Sequence, residues 1–155
     1  MGKDHQKIEK TLKGLGGLGY LEIRHVPMSR YEGLGEGVHS KVLGEIEKWV
    51  ARELILERYR IRGRELQYFR SIYALSQREF AEKLHLSHVA ILKWEKAADR
   101  PLDLVNEVAV KALLSGMLGL KVPASLESLV GDQDIPEKLV LDYRNRAAKG
   151  KKKAA

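Results

Sequence analysis

The chain has no cysteine. That excludes disulfides, thiolate zinc sites and a cysteine nucleophile together. No apolar run approaches the roughly 20 residues a membrane-spanning helix needs. The opening residues are polar and basic, without the apolar stretch of a secretory signal. These absences point to an intracellular, cytoplasmic protein. Catalytic signatures are missing too. There is no Gly-x-Ser-x-Gly elbow and no Walker sequence, and no two of His5, His25, His39, His85 and His88 stand four apart as in a helical metal site. The expectation is a protein that is not an enzyme and takes neither metal nor cofactor.

What is present is ordinary globular composition over 155 residues, 44% apolar and 32% charged, enough for one or two domains with a sizeable core. The net charge is +7, but six basic groups and no acid lie between Arg144 and Lys153, and without them the chain stands at +1. The high pI therefore reports a basic end more than a basic face.

Four regions can be separated. Residues 1–19 read as a flexible N-terminus. Their glycines, Gly14-Leu15-Gly16-Gly17-Leu18-Gly19, match G-x-G-x-x-G literally. A dinucleotide loop needs a strand before the glycines and a helix after them, and here the order is reversed. A glycine linker is the expected reading.

Residues 20–60 read as a small α+β region. Leu21 and Ile23 alternate with Glu22 and Arg24, a strand pattern that Pro27 ends or turns into a hairpin. Three glycines at alternate positions within residues 31–37 make a turn or loop. Ser40 then offers an N-cap for a long helix over residues 41–60, with Val42, Leu43, Ile46, Trp49, Val50 and Leu54 at helical spacing. Trp49 is expected in the core.

Residues 61–120 are the most informative. Helices are predicted over 62–73, 77–84, 88–96 and 103–115. The first turns Leu66, Phe69, Ile72 and Tyr73 inward. Ser76 with Glu79 makes a capping box, and Ser87 caps the third helix. In the fourth, Val105, Val108, Ala109, Ala112 and Leu113 form the apolar face, and Gly116 is a stop. Ala81 lies where the two short helices cross, and Phe80, Leu84, Leu86, Ile91 and Trp94 supply the contacts that set their angle. This is a helix-turn-helix.

Residues 121–155 read as C-terminal helices and a basic tail. A short helix begins at Pro123, a turn occupies residues 131–134, and Pro136 opens a last helix carrying Leu139, Val140 and Tyr143.

The run Leu75-Ser76-Gln77-Arg78-Glu79-Phe80-Ala81-Glu82-Lys83-Leu84, then Leu86-Ser87, Ile91-Leu92-Lys93-Trp94-Glu95 and Arg100-Pro101, resembles the phage-repressor (XRE) helix-turn-helix family over residues 62–118. The resemblance implies a mainly α fold, a four- to five-helix DNA-binding domain, here preceded by the small α+β segment. It implies that Gln77 contacts the DNA backbone and that His88, Val89 and Lys93 face bases. Ser87, Lys96 and Arg100 lie at helix ends or in the following loop, where phosphates are the nearer partners. Two positions depart from the pattern: His85 stands where many members have glycine, and Val89 where a polar reader is common. Histidine tolerates a left-handed backbone better than most residues, and a valine can contact a thymine methyl.

Residues 20–60 also resemble antitoxins of the MqsA type, whose zinc knuckle precedes an XRE domain. Val26-Pro27 and Tyr31-Glu32-Gly33-Leu34-Gly35-Glu36 align with that motif, with Tyr31 and Leu34 in place of cysteines. Apolar packing would then hold the segment together. Three functions follow: an antitoxin and autorepressor that binds a palindromic operator as a homodimer and neutralises a protein toxin; a stand-alone regulator with a dimerising or ligand-sensing N-terminal region; or an interaction module that has lost DNA binding.

Overall fold

The computed structural model describes residues 8–121 and 125–147. The element order is β1 (Glu9–Leu15), β2 (Leu18–Pro27), β3 (Ser29–Tyr31), β4 (Gly35–Gly37), α1 (Ser40–Leu56), α2 (Gly63–Ile72), α3 (Gln77–Leu84), α4 (His88–Lys96), α5 (Leu104–Met117) and β5 (Leu139–Asp142). Short 3-10 turns occupy Leu126–Leu129 and Tyr143–Asn145. Among the described residues no helix is long and apolar enough to cross a membrane.

The expected glycine linker is instead a hairpin. Leu15 pairs with Leu18 across Gly16 and Gly17, whose φ values of +53° and +84° are the positive ones a two-residue turn demands. Gly16 also lies so close to Tyr68 that a Cβ there would stand 2.8 Å from its ring. The sequence reading missed this because the turn glycines are also those of a linker. The expectation for residues 1–7 lies outside the described residues.

β2 is the central strand of a sheet ordered β1-β2-β5, antiparallel to β1 and parallel to β5. Leu18, Leu21, Ile23 and Val26 are buried along it. The last predicted helix is thus corrected: Leu139, Val140 and Leu141 form the strand that pairs with β2, and Tyr143 follows in a 3-10 turn. The short helix before it is a single 3-10 turn, and Pro123 lies outside the described residues. Tyr143 is buried edge-on against Trp49, 6.2 Å between centroids. One apolar core runs from this sheet through α1, α2 and α5 to α3 and α4, so the N- and C-terminal regions close over each other.

β3 and β4 make a separate two-stranded hairpin. Tyr31 and Leu34 are 39% and 88% exposed at its turn, so the apolar packing expected in place of a zinc knuckle does not occur. α1 starts one residue earlier than read and ends at Leu56, short of the expected residue 60, with Arg58 at φ +57° just beyond it. His39, not Ser40, caps it, with Nδ1 accepting from the Lys41 N–H at 3.2 Å.

The largest correction concerns α5. Of its predicted apolar face, Val105 is 81% exposed and Ala109 is exposed, Val108 and Ala112 are half-buried, and Leu113 alone packs against the core; Leu104 beside them is 51% exposed. The opposite face is buried and carries Glu107, Val110, Lys111, Leu114 and Ser115. Glu107 accepts from the Ile61 N–H at 2.6 Å and the Gly131 N–H at 2.9 Å. Lys111 donates to the Tyr59 carbonyl at 2.7 Å and lies 3.7 Å from Glu107. Burial holds its ammonium below the usual lysine range, and Glu107 opposes that shift. Two chain segments without regular structure are thereby tied to α5 through their backbones. Such groups need a partner inside the protein, and that need decides which face turns inward.

A second polar cluster joins sheet and helices. Glu65, fully buried, receives the Tyr20 hydroxyl at 3.0 Å and both ends of the Arg62 guanidinium at 2.9 Å. Burial, with Glu65 beside it, raises the Tyr20 hydroxyl far above its ordinary range, so it remains a donor.

Candidate nucleic-acid interface

α3 and α4 occupy the residues read for them. Ser76 Oγ accepts from the Glu79 N–H at 3.0 Å while Glu79 accepts from the Ser76 N–H at 2.7 Å, the capping box expected. His85 ends α3 at φ +57°, the left-handed position its place in the motif required. Ser87 caps α4 by accepting from the Ala90 N–H. Phe80, Ala81 and Ile91 are buried between the helices.

Three helices meet at Glu95. Its carboxylate receives Arg70 of α2 at 2.8 Å and the Gln77 Nε2 of α3 at 2.8 Å. Arg70 also donates to the Leu75 carbonyl at 2.9 Å. The Glu95 side chain is only 6% exposed, where charge-assisted hydrogen bonds are strong. This junction fixes α4 relative to α2 and α3. The sequence reading missed it. The signal available was an acid inside a helix expected to approach phosphates, which needs a cation of its own. Gly63 adds a close approach: a Cβ there would lie 1.8 Å from the Trp94 carbonyl oxygen.

The predicted site residues fall into two groups. Ser87, His88, Val89, Lys93, Lys96 and Arg100 are exposed. Lys93 and Arg100 share the wall of a cavity of about 270 Å³ with Trp94 and Pro101. Gln77 is half-buried and gives one N–H to Glu95, leaving one donor of its amide. Arg64, which the reading did not select, pairs at 2.8 Å with Asp99 in the loop after α4, and this pairing holds the Asp99 carboxyl below the usual carboxylate range.

Among the described residues no three His, Asp or Glu side chains converge as a metal set. His25 pairs instead with Asp142 at 2.9 Å, tying β2 to β5. The basic C-terminal stretch begins with Arg144 and Arg146, paired to Glu9 and Glu45. The rest of it lies outside the described residues.

No protein-family model, curated protein or solved structure matches this chain.

Proposed function

We propose that this protein is a sequence-specific DNA-binding transcriptional repressor that grips a palindromic operator as a dimer through α3 and α4. The observation that carries this reading is the division of α4. Ile91 and Glu95 anchor one side, while His88, Val89, Lys93 and Lys96 stand free on the other. A rigidly held helix with an exposed reading face is what major-groove docking requires. His88, Val89 and Lys93 face base edges, and Ser87, Gln77, Lys96 and Arg100 take phosphates.

Competition titrations against operator and scrambled duplex at two salt concentrations test it. Lys93→Ala costs about 1–3 kcal/mol on the operator and relaxes preference at one base pair. Arg100→Ala weakens both duplexes alike and lowers the salt slope by about one. Equal losses on both duplexes for Lys93→Ala would remove it from the base readers. Absence of any salt-dependent shift would refute the reading and leave an interaction module.

A second reading, an antitoxin that also neutralises a protein toxin, is favoured by the β3–β4 hairpin, which presents Leu34 at its tip to solvent. A toxin-like gene beside this one, and co-purification of its product with the wild type but not with Leu34→Asp, would support it.

A further inference from the structure

Two of the cavities among the described residues are large enough for a small molecule, and their charges are arranged differently. The larger, about 340 Å³, is bordered by Arg62 and Arg64. Both guanidiniums are already taken, by Glu65 at 2.9 Å and by Asp99 at 2.8 Å. The smaller, about 270 Å³, lies between the end of α4 and the start of α5. Lys93, Arg100 and Asp103 stand exposed around it. Asp103 leaves the N-cap bond of α5 unmade, and none of the three side chains has an ion pair or hydrogen bond among the described residues. Trp94, Pro101 and Leu102 complete the wall, with Leu102 fully in the core. We propose that this cavity holds a small aromatic carboxylate bearing one hydrogen-bond donor, and that the bound molecule competes with DNA for Lys93 and Arg100.

Each part of the wall selects one part of that ligand. The Arg100 guanidinium is a planar fork that takes a carboxylate through paired N–H bonds, and the Lys93 ammonium adds a second cation. The indole of Trp94, with Pro101 and Leu102, offers an apolar surface to a ring. The volume admits one substituted ring and little more, since a dry cavity of about 150 Å³ already takes benzene. Asp103 accepts from a hydroxyl or amino group and repels a second anion, so a monoanion is preferred to a dianion. The frame stands before any ligand arrives. The Arg100 carbonyl accepts from the Gly63 N–H at 3.4 Å, the Arg100 N–H donates to the Ala97 carbonyl at 3.0 Å, and the Leu102 N–H to the Ile61 carbonyl at 2.8 Å. Binding therefore pays little for ordering the loop. Lys93 and Arg100 are also the cations assigned to a base edge and a phosphate, so one bound carboxylate withdraws both from DNA. Only this competition rests on the DNA-binding reading.

Calorimetric titration of the full chain with 4-hydroxybenzoate, without DNA, tests the site. The dissociation constant should lie at roughly 0.05–1 mM, the range a ligand of about ten heavy atoms supports. Acetate, which lacks the ring, and 4-hydroxybenzamide, which lacks the charge, should each bind about tenfold or more weakly. Terephthalate carries a second carboxylate in place of the hydroxyl and should also bind weakly, and Asp103→Asn should remove that penalty. Arg100→Gln should weaken 4-hydroxybenzoate about tenfold and keep the wild-type melting temperature, since its side chain is exposed. Lys48→Gln, on the exposed face of α1, should change neither. The chain has two tryptophans, and Trp49 is buried against Tyr143. The ligand should therefore move the indole N–H resonance of Trp94 and leave that of Trp49 in place. No binding up to about 5 mM, acetate or the amide as tight as the carboxylate, or wild-type affinity in Arg100→Gln would each overturn the proposal. Rising 4-hydroxybenzoate should also lower affinity for operator duplex, and simultaneous binding of both would overturn the competition. A chain that takes the ligand without salt-dependent DNA binding would leave this site standing and remove the repressor reading. One that reads an operator and takes no ligand would do the reverse.

Discussion

Replacing Lys111 by methionine probes the buried anchor of α5 most directly. Lys111 and Glu107 are both fully buried. Methionine keeps the length of the stem but removes the cation and its hydrogen bond to the Tyr59 carbonyl. Glu107 keeps its charge and two backbone N–H donors, from Ile61 and Gly131, but loses the ammonium 3.7 Å from it. Breaking a buried pair in this way costs about 3–5 kcal/mol, a large share of the 5–15 kcal/mol that holds a typical domain together. The paired variant Glu107→Leu with Lys111→Met separates two explanations. Were the pair only an ion pair, apolar replacement would be nearly neutral. Here it also strands the Ile61 and Gly131 N–H groups, at about 1–3 kcal/mol each, so the double variant should remain about 2–6 kcal/mol below wild type. Urea denaturation followed by circular dichroism at neutral pH measures both. Wild-type stability in the double variant would show that the carboxylate does not serve as a backbone anchor.

Gly17→Ala should cost about 1–2 kcal/mol for its left-handed backbone alone, and Gly16→Ala distinctly more, because the added methyl meets the Tyr68 ring; equal melting temperatures would contradict the hairpin packing. Ala81→Leu, at a position 1% exposed, should overpack the α3–α4 contact at about 1–3 kcal/mol; unchanged thermal unfolding would refute the crossing assigned to it. Hydrogen bonding from His25, then from the Arg144 N–H, holds the Asp142 carboxyl below its ordinary value. Its folded pKa is thus lower than its unfolded one, so its contribution is present above the usual aspartate range of ~3.9 and is lost as pH falls through the folded value. Asp142→Asn should accordingly flatten the acid limb of the stability profile, and an unaltered limb would exclude this pair as a source of acid sensitivity.

The bounds of α3 and α4 were legible to the residue. Ser76, Glu79 and Ser87 announce helix starts by bonding their own first turns, His85 marks the left-handed stop, and Ala81 the crossing; each signal acts within a few residues of itself. The candidate site was legible as a set of exposed side chains, but not as a rigid body. Glu95, Arg70 and Gln77 lie on three different helices, and nothing in their spacing says that they meet. The C-terminal segment was misread for a similar reason. Leu139-Val140-Leu141 is too short to show a period, and the open edge of β2, more than a hundred residues earlier, makes it a strand. Gly16 and Gly17 looked like slack because glycine marks turns and linkers alike.

Sequence alone therefore determined where most helices begin and end, which residues α4 offers to solvent, and that no thiol chemistry exists here. Tertiary structure alone decided which face of α5 is buried. Apolar periodicity pointed to Val105 and Val108, but the buried backbone N–H groups of Ile61 and Gly131 lie far from α5 in the chain and need an acceptor. Satisfying them places Glu107 and Lys111 inside and leaves the apolar stripe outside.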